Sequence, residues 1–451
     1  MRTKQQYIEG LRKMRRNIYV NGEKIARDDE MQMPTINTIG LTFDYAADPR
    51  HQDLCTATSH LTGEKINRFN HIHHSKEDLH KKQDMTRLLC QVAGGCIQRC
   101  MGIDGANAIY KVSYEADRMN NGATEYHRNF KKWLERFQKE DLVGCCAQTD
   151  VKGDRMKRPS QQKDPDMYVR VVERKSDGIV VRGSKVHNSE ASVADEVLVV
   201  PTRALLPEEK DWAVAFAVPA DWEGVKQVVS IHNLRERQYF KRGFTPGATD
   251  SYTIFDDCFV PWERVFLCGE TIHGGVCALL FALFHRHSYS GCKPALGDLM
   301  LGTVALAAEY NGIANASHVK DKLIEMCALN ETMYQGSLAC SSQGEMTPSG
   351  VAIMNKLLSY VTKLNVTRFP YEIARLARQA DIWMAEIVQE MGQLARASRH
   401  AAAGGFHYLN LHRRPARHGD SFRLRWRNPL HRHVRWPQVA SDLGRLPLGL
   451  H

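Results

Sequence analysis

A short segment of the chain, residues 285–293, combines side chains that are rarely found together in a packed core. Its order is His-Arg-His-Ser-Tyr-Ser-Gly-Cys-Lys, which supplies imidazoles, a phenol, a thiol and an amine. Each of these groups would need a hydrogen-bond partner if it were buried. Far upstream, Cys96 and Cys100 stand four residues apart. Residues at this spacing share one face of a helix, so we predict that the two thiols lie side by side.

Together the two segments offer a set of soft metal ligands, which are Cys96, Cys100, His285 and Cys292. Iron–sulfur clusters are bound by cysteine thiolates, and a histidine can replace a cysteine as a ligand. A structural zinc ion is an alternative, although zinc sites usually contain tight Cys-x-x-Cys pairs, a spacing that neither segment has. Core thiols without any metal are a further alternative. So is a reactive thiol at Cys292, because Lys293 follows it directly.

Three further segments have the composition of ligand-binding loops. Residues 148–155 are polar and contain a glycine, so their backbone N–H groups and Arg155 could hold a phosphate or a flavin ring. Residues 187–189 follow a predicted strand and carry hydrogen-bonding side chains. Residues 365–372 join two predicted helices and are either an interhelical turn or a cofactor contact. Asp250 precedes a strand and could act as a base. A surface loop or a solvated acid is the simpler alternative for these segments.

The order of the predicted elements divides the chain into three parts. Residues 1–143 show apolar side chains at helical spacing, and Ser75 has the character of a helix N-cap. Residues 144–272 contain short β-branched runs, with a hairpin predicted at the Asp-Gly turn of Asp177. Residues 273–395 return to amphipathic helices, which indicate a bundle. We therefore expect an α+β fold like that of the acyl-CoA dehydrogenases, with an N-terminal helical domain, a middle β domain and a C-terminal helical bundle.

The formal net charge of +10 is concentrated at the C-terminal end of the chain. From Arg399 onward the sequence has ten Arg, two Asp and no Lys or Glu, which amounts to +8. The rest of the chain is nearly balanced and gives no reason to expect bound nucleic acid. Residues 396–451 also replace Lys and Glu with Arg, His, Pro and Trp. We expect this tail not to be native family sequence, for example a frame-shifted end. A basic arm of a nucleic-acid-binding protein is the alternative.

The remaining composition is that of an ordinary globular protein. We find no run of about 18 apolar residues, so we expect no transmembrane helix. The first residues are not followed by the apolar core of a signal peptide, so we expect a cytoplasmic protein. In that compartment the 12 cysteines are reduced core residues or ligands rather than disulfides. The sequence has no Walker loop, no GxGxxG after a strand, no HExxH and no GxSxG motif.

Several of these segments resemble one known family over long, nearly identical stretches. The chain resembles the 4-hydroxybutyryl-CoA dehydratase branch of the 4-hydroxyphenylacetate 3-monooxygenase flavoprotein family, from about residue 5 to about residue 378. The stretches that carry the resemblance are 149–155, 160–166, 177–187, 284–293, 316–332 and 365–376. The resemblance implies FAD and a 4Fe-4S cluster as cofactors, and a homotetramer that holds FAD between its subunits.

The resemblance also implies roles for individual residues. The cluster ligands would be Cys96, Cys100, His285 and Cys292, with His285 acting also as a base. The active-site residues around the cluster would be Gln98, Tyr289, Lys293 and Asp250. FAD would contact Gln148, Thr149, Asp150, Lys152, Gly153, Asp154, Arg155, His187, Asn188, Ser189, Asn365 and Arg368.

The activity implied by the resemblance is the dehydration of a CoA thioester. 4-Hydroxybutyryl-CoA would give crotonyl-CoA and water by a flavin radical mechanism at the cluster, with vinylacetyl-CoA Δ-isomerase activity alongside. Two departures from the family pattern matter. Asp250 stands where the family has a glutamate, and the resemblance ends near residue 380, before a second active-site glutamate. The alternative is an FAD-dependent aromatic monooxygenase of the same fold, which would leave the cysteine and histidine set unexplained.

Overall fold

Helices, then strands, then helices again follow one another along the chain. The computed structural model describes residues 1–231 and 249–380. In these residues the α-helices are α1 (Lys4–Lys13), α2 (Met33–Ala47), α3 (Gln52–Cys55), α4 (Lys76–Ala93), α5 (Cys100–Met119), α6 (Tyr126–Lys139), α7 (Thr271–Tyr310), α8 (Ser317–Ser342), α9 (Lys356–Val366) and α10 (Phe369–Gln379). None of them combines the length and the apolar character that a membrane crossing needs. The tail, residues 396–451, lies outside the described residues.

The strands are short near the two ends of the chain and longer in its middle. They are β1 (Ile18–Val20), β2 (Glu23–Ile25), β3 (Thr56–Thr58), β4 (Lys65–Asn67), β5 (Gly144–Ala147), β6 (Arg170–Arg174), β7 (Gly178–Ser189), β8 (Glu196–Val199), β9 (Val214–Pro219), β10 (Val225–Ile231), β11 (Thr249–Pro261), β12 (Val265–Cys268), β13 (Glu345–Met346) and β14 (Ala352–Ile353). The longest run of strands begins with β5, after α6, and ends with β12, before α7.

Helix α4 is capped at both ends, by Ser75 at its N-terminus and by Gly94 at its C-terminus. Ser75 accepts a hydrogen bond from the backbone N–H of Asp78 at 3.0 Å, so it is the N-cap that we predicted. The carboxylate of Asp78 accepts hydrogen bonds from the N–H of His74 and the hydroxyl of Ser75. At the other end, Gly94 adopts a left-handed conformation with a φ of 67°, which ends the helix.

Two β-sheets form the middle of the chain, as predicted. The larger sheet has the strand order β2-β1-β10-β11-β7-β6, and the smaller one has the order β12-β9-β8-β5. The predicted hairpin is present, because β6 and β7 are antiparallel neighbours with Arg174 opposite Ile179. One cluster of buried apolar side chains joins both sheets to helices α5 and α6, and it includes Phe130, Phe216 and Phe255. The core therefore lies between the sheets and the N-terminal helices.

Strands β1 and β2 show that the N-terminal part is not purely helical. Strand β1 pairs in parallel with β10 and adds an edge to the larger sheet, with Ile18 opposite Gln227. The buried guanidinium of Arg27 supports this junction by donating to Asn17 and to the carbonyl of Ala220, both at 2.7 Å. We expected a helical domain here, because strands of three residues are too short to show a period of two.

Helices α7 to α10 form the predicted bundle. Val304 of α7, Met326 of α8 and Ile373 of α10 meet in one apolar cluster, so the helical stripes seen in the sequence face a common core. Helix α7 is 40 residues long and contains the whole of residues 285–293. It packs against α4 and α5 and thereby brings this segment to the N-terminal helices. We predicted amphipathic helices as far as residue 395, and residues 381–395 lie outside the described part of the chain.

Helix α5 approaches strand β5 so closely that one position accepts only glycine. Gly102 lies against the backbone of Gly144, and a Cβ added at residue 102 would overlap the carbonyl oxygen of Gly144. Gly302 in the interior of α7 is different, because no heavy atom lies within 4 Å of the place that a Cβ would take. Helix α5 carries Cys100 at its first residue, so this close approach also determines where that thiol lies.

The substitution Gly102→Ala tests this packing. We expect it to lower the free energy of unfolding by about 1–3 kcal/mol, because the backbone must move to admit the methyl group. Gly302→Ala is the matched control, and it should raise the free energy of unfolding by about 0.5–1 kcal/mol, because alanine favours the helix. Urea unfolding followed by circular dichroism measures both variants. Equal stabilities of the two variants would contradict the close approach of α5 to β5.

Candidate active site

Cys96 does not lie on the helix that carries Cys100, so our prediction that the two residues share one helical face is wrong. Helix α5 begins at Cys100, and the residues before it form a loop. Gly94 ends the preceding helix, and Gln98 has a positive φ of 63°. A left-handed conformation is uncommon for a residue with a side chain, and it often marks a functional site.

The loop nevertheless brings the thiol of Cys96 to the thiols of Cys100 and Cys292. Cys100 and Cys292 donate hydrogen bonds to the sulfur of Cys96, and these bonds lower the pKa of Cys96 well below its usual value. The hydrogen bond to Cys96, together with burial, raises the pKa of Cys100. The pKa of Cys292 is raised by hydrogen bonds with Cys90 and Cys96 and by burial. The backbone nitrogen of Gln98 lies 3.4 Å from the Cys96 sulfur and donates to it. Three of the four predicted ligands are thus neighbours.

His285 is the fourth predicted ligand, and a carboxylate holds one side of its ring. Its Nδ1 lies 3.0 Å from an oxygen of Asp104. One ligand atom from each of Cys100, Asp104 and His285 lies within 4.8 Å of the other two. Within residues 1–231 and 249–380, the Nε2 atom of His285 makes no hydrogen bond. A histidine whose Nδ1–H is bound by a carboxylate offers Nε2 to a metal or to a proton.

Asp104 was missed in the sequence, although it connects three helices. Lys82 of α4 forms a buried ion pair with Asp104, and Ser288 of α7 donates to the same carboxylate at 2.9 Å. Burial acts to raise the pKa of Asp104, but the charges of Lys82 and His285 outweigh burial and lower it. The signal that could have identified Asp104 is its position one helical turn after Cys100, on the same face.

Tyr289 and Lys293 follow His285 on successive turns of α7. The rings of His285 and Tyr289 meet edge to face, with their centroids 4.9 Å apart. Burial and the neighbouring thiols raise the pKa of Tyr289 to about 12, so this phenol is protonated at neutral pH. The Nζ atom of Lys293 lies 5.4 Å from the centroid of the Tyr289 ring. Gln98 is buried, and its Oε1 atom accepts no hydrogen bond from the described residues.

Asp250 and Ser189 face each other across the larger sheet. They are register partners on β11 and β7, and the Ser189 hydroxyl donates to the Asp250 carboxylate at 2.6 Å. The charge of Asp250 is one of the causes that raise the pKa of Tyr289. The sheet therefore places this carboxylate within electrostatic range of the phenol.

The predicted flavin loop, residues 148–155, uses part of its polar character for its own structure. Asp150 is buried in an ion pair with Lys185, at 2.8 Å, and it also accepts a backbone N–H. This carboxylate is already bonded, so we interpret Asp150 as structural. The side chain of Gln162 accepts from the N–H of Asp154 and donates to its carbonyl. An ion pair and hydrogen bonds within the chain therefore fix the conformation of this loop.

The other residues predicted for flavin binding lie mostly at the surface. Gln148, Thr149 and Lys152 are half-buried, whereas Gly153, Asp154, Arg155 and His187 are exposed. Asn188 is buried, and its Oδ1 atom has no donor among the described residues. Asn365 and Arg368 lie where α9 gives way to α10, and no described hydrogen bond or ring contact joins them to the thiols.

The ligand atoms of this site are compatible with both predicted cofactors. All 12 cysteines are free, so none of the three clustered thiols is used in a disulfide. An iron–sulfur cluster needs four ligands, which three thiols and the free Nε2 of His285 could supply. Buried acceptors without donors remain on Gln98, Asn188 and Glu190. Such acceptors suit a bound molecule that carries N–H or O–H groups, as a flavin does.

Comparisons with known proteins agree with the resemblance seen in the sequence. Residues 3–267 match the family model described as 4-hydroxyphenylacetate 3-hydroxylase N terminal, and residues 276–380 match its C-terminal counterpart. The chain is 45% identical over 383 residues to the 4-hydroxybutyryl-CoA dehydratase/vinylacetyl-CoA-Delta-isomerase of Clostridium aminobutyricum, covering 83% of this chain and 78% of that protein. The chain belongs to the 4-hydroxyphenylacetate 3-hydroxylase family. The predicted resemblance, including its dehydratase branch, is confirmed.

Solved structures extend this result to the fold. An oxygen-tolerant 4-hydroxybutyryl-CoA dehydratase from N. maritimus matches with a TM-score of 0.81 and 35% identity, covering 89% of this chain and 86% of that one. The oxygenase component of 4-hydroxyphenylacetate 3-monooxygenase, solved in complex with FAD, shares the fold, with a TM-score of 0.66 and 23% identity, covering 88% of this chain and 92% of that one. Butyryl-CoA dehydrogenase from Megasphaera elsdenii also shares it, with a TM-score of 0.52 and 12% identity over 88% and 92%. The predicted acyl-CoA dehydrogenase-like fold is therefore confirmed.

The variant Asp104→Asn tests the buried network of this family member. We expect the free energy of unfolding to fall by about 3–5 kcal/mol, because Lys82 would stay buried without a counterion. Adding Lys82→Met should recover much of the loss, because both charges are then gone. Asp48→Asn disrupts an exposed pair with Arg50 and serves as the control, with an almost unchanged unfolding midpoint. If Asp104→Asn were as stable as Asp48→Asn, the network would not hold the helices together.

Proposed function

We propose that this chain dehydrates 4-hydroxybutyryl-CoA to crotonyl-CoA and water, and that it also isomerises vinylacetyl-CoA. The 45% identity to a protein with both activities supports the proposal. The structural observation that carries it is the contact of three thiols beside His285, whose Nδ1 is held by Asp104. An enzyme that only hydroxylates aromatic rings has no evident need for these thiols.

We further propose that Cys96, Cys100, Cys292 and His285 hold a 4Fe-4S cluster. FAD would lie against residues 148–155 and 187–189, as the family resemblance implies, and the protein would be a homotetramer. When bound, the cluster would supply a Lewis-acidic iron and FAD would supply an acceptor for one electron. These assignments explain why the thiols of Cys96, Cys100 and Cys292 lie together although no disulfide joins them.

The residues of the chain would divide the acid–base work of the reaction. Asp104 holds the Nδ1–H of His285, so Nε2 is the atom that can receive a proton or bind the metal. Tyr289 keeps its proton at neutral pH and can donate a hydrogen bond to the departing hydroxyl group or to the thioester oxygen. Lys293 adds a positive charge beside Tyr289, where it would stabilise negative charge on the substrate. Asp250, which Ser189 orients, is a second candidate base.

An FAD-dependent aromatic monooxygenase remains the second candidate function, because the family model carries the name of a hydroxylase. It would not use the three thiols or His285 as ligands. A nucleic-acid-binding function depended on the tail after residue 396, which lies outside the described residues. The observations within residues 1–231 and 249–380 therefore favour the dehydratase.

Iron content gives the first test of the proposal. Protein purified without oxygen is expected to be brown and to contain about four irons per subunit, as one 4Fe-4S cluster requires. Cys100→Ala should lose most of this iron, because it removes a thiol that contacts Cys96. Cys327→Ala, which changes a half-buried thiol on α8, should keep its iron. Full iron content in Cys100→Ala would count against the ligand assignment.

Turnover gives the second test. Anaerobic enzyme with FAD should convert 4-hydroxybutyryl-CoA to crotonyl-CoA, as measured by liquid chromatography of the CoA esters. His285→Gln should slow this reaction by about 10²–10⁴-fold, because it removes the proton-accepting imidazole. His318→Gln changes an exposed histidine at the start of α8 and should have no effect. Hydroxylation of 4-hydroxyphenylacetate without any dehydration would contradict the proposal and favour the monooxygenase.

A further inference from the structure

Two lysines lie close to the Tyr289 ring, and the charge of Arg286 acts on one of them. Lys293 and Arg286 come from α7, and Lys363 comes from α9. The Nζ atom of Lys363 lies 4.2 Å from the centroid of the Tyr289 ring, closer than the 5.4 Å of Lys293. The guanidinium of Arg286 lies 4.9 Å from the centroid of the Tyr360 ring. We call Lys293, Lys363 and Arg286 the cation cluster.

The cation cluster differs from the other partly buried cations of the helical parts. Arg87, for example, is neutralised by Asp298 and Glu331. Within residues 1–231 and 249–380, no member of the cation cluster has an ion pair with a carboxylate. The Nη1 atom of Arg286 is buried and finds no acceptor among these residues. A buried donor without an acceptor is costly, so the cluster is arranged for an anion or a polar oxygen from outside the chain.

Mutual repulsion supports the same interpretation. Burial lowers the pKa of Lys363, and the charges of Lys293 and Arg286 lower it further. Like charges that are held together destabilise a protein unless something of opposite sign binds between them. A ligand that carries negative charge would relieve this repulsion. The cation cluster is thus better suited to the liganded protein than to the free one.

The cluster also lies beside the candidate active site. The Tyr289 ring, which both lysines approach, is 4.9 Å from the His285 ring between centroids. Cys292 is close enough to contribute to the pKa of Lys363. A ligand atom bound by the two lysines would therefore lie next to the thiols and the imidazole.

We propose that Lys363 and Lys293 together bind the thioester oxygen of the substrate and stabilise the negative charge that forms on it, with Arg286 adding to the field. The inference rests on the proposed function, and it adds Lys363 as a further catalytic residue. In the step concerned, a site base such as Asp250 takes a proton from C2 of the acyl chain. The electron pair of the broken C–H bond forms a C1–C2 double bond, and the carbonyl pair moves onto oxygen. The resulting enolate oxygen carries the charge that the two ammonium groups would stabilise.

Hydrogen exchange at C2 tests this role apart from dehydration. Butyryl-CoA is the probe, because it has the thioester and the C2 hydrogens but no hydroxyl group to lose. The anaerobic holoenzyme in deuterium oxide should introduce deuterium at C2, as measured by mass spectrometry. Lys363→Met should slow this exchange by about 10²–10³-fold, the usual effect of removing one oxyanion donor. Lys363→Arg should restore most of the rate, because it restores the charge.

The matched control is Lys356→Met, which removes an exposed lysine from the same helix and should exchange at the wild-type rate. Wild-type exchange in Lys363→Met, or no exchange in the wild type, would overturn the inference. A Lys363→Met protein that mainly loses bound FAD would also overturn the inference, because the cations would then bind the flavin and not the thioester oxygen. If Lys363→Met fails to fold, Lys363→Gln takes its place, and we expect it to slow C2 exchange by about 10²–10³-fold as well.

The failure of this inference can be distinguished from the failure of the proposed function. A wild-type enzyme that dehydrates 4-hydroxybutyryl-CoA while Lys363→Met matches it in C2 exchange would overturn only the role of Lys363. A wild-type enzyme that exchanges C2 hydrogens of butyryl-CoA in a Lys363-dependent manner, but never forms crotonyl-CoA, would overturn the dehydratase and support the oxyanion site.

Discussion

A fully buried ion pair between Lys82 and Asp104 holds together the helices on which the candidate site depends. Removing two charges from water costs several kcal/mol for each ion, and the cost is recovered only where further hydrogen bonds satisfy both groups. Asp104 is satisfied by His285 and Ser288, and Lys82 also donates to the carbonyl of Phe284 at 3.3 Å. The pair therefore sets the position of α7 against α4 and α5, and it orients the His285 ring.

Features with a clear period along the chain could be predicted from the sequence. The hairpin of β6 and β7 and the apolar stripes of α8 and α10 are examples, whereas Leu357, Val361 and Leu364 of α9, which were also expected in the bundle core, are exposed. The contact between Cys96 and Cys100 was also expected, but for the wrong reason. Two consecutive glycines, Gly94 and Gly95, end the helix before Cys96, and the left-handed Gln98 turns the chain back toward α5. A spacing of four residues is therefore compatible with a loop that closes on a helix end as well as with a continuous helix.

Features that depend on distant contacts could not be predicted from local pattern. Asp104 is separated from His285 by 181 residues, and nothing near either residue marks the other as its partner. Asp150 had the surroundings of a ligand-binding residue, yet it pairs with Lys185 on the neighbouring strand. The position of Lys363 beside the active site follows only from the packing of α9 against α7. The ligand types were thus visible in the sequence, whereas their supporting charges required the fold.

We infer that three sulfurs and one imidazole nitrogen share a single iron cluster. Diffraction from crystals grown without oxygen, recorded on both sides of the iron absorption edge, would locate the iron in each subunit. We expect one strong anomalous peak per subunit, bounded by the side chains of Cys96, Cys100, Cys292 and His285. An iron peak elsewhere in the subunit, or none in protein that still forms crotonyl-CoA, would contradict it.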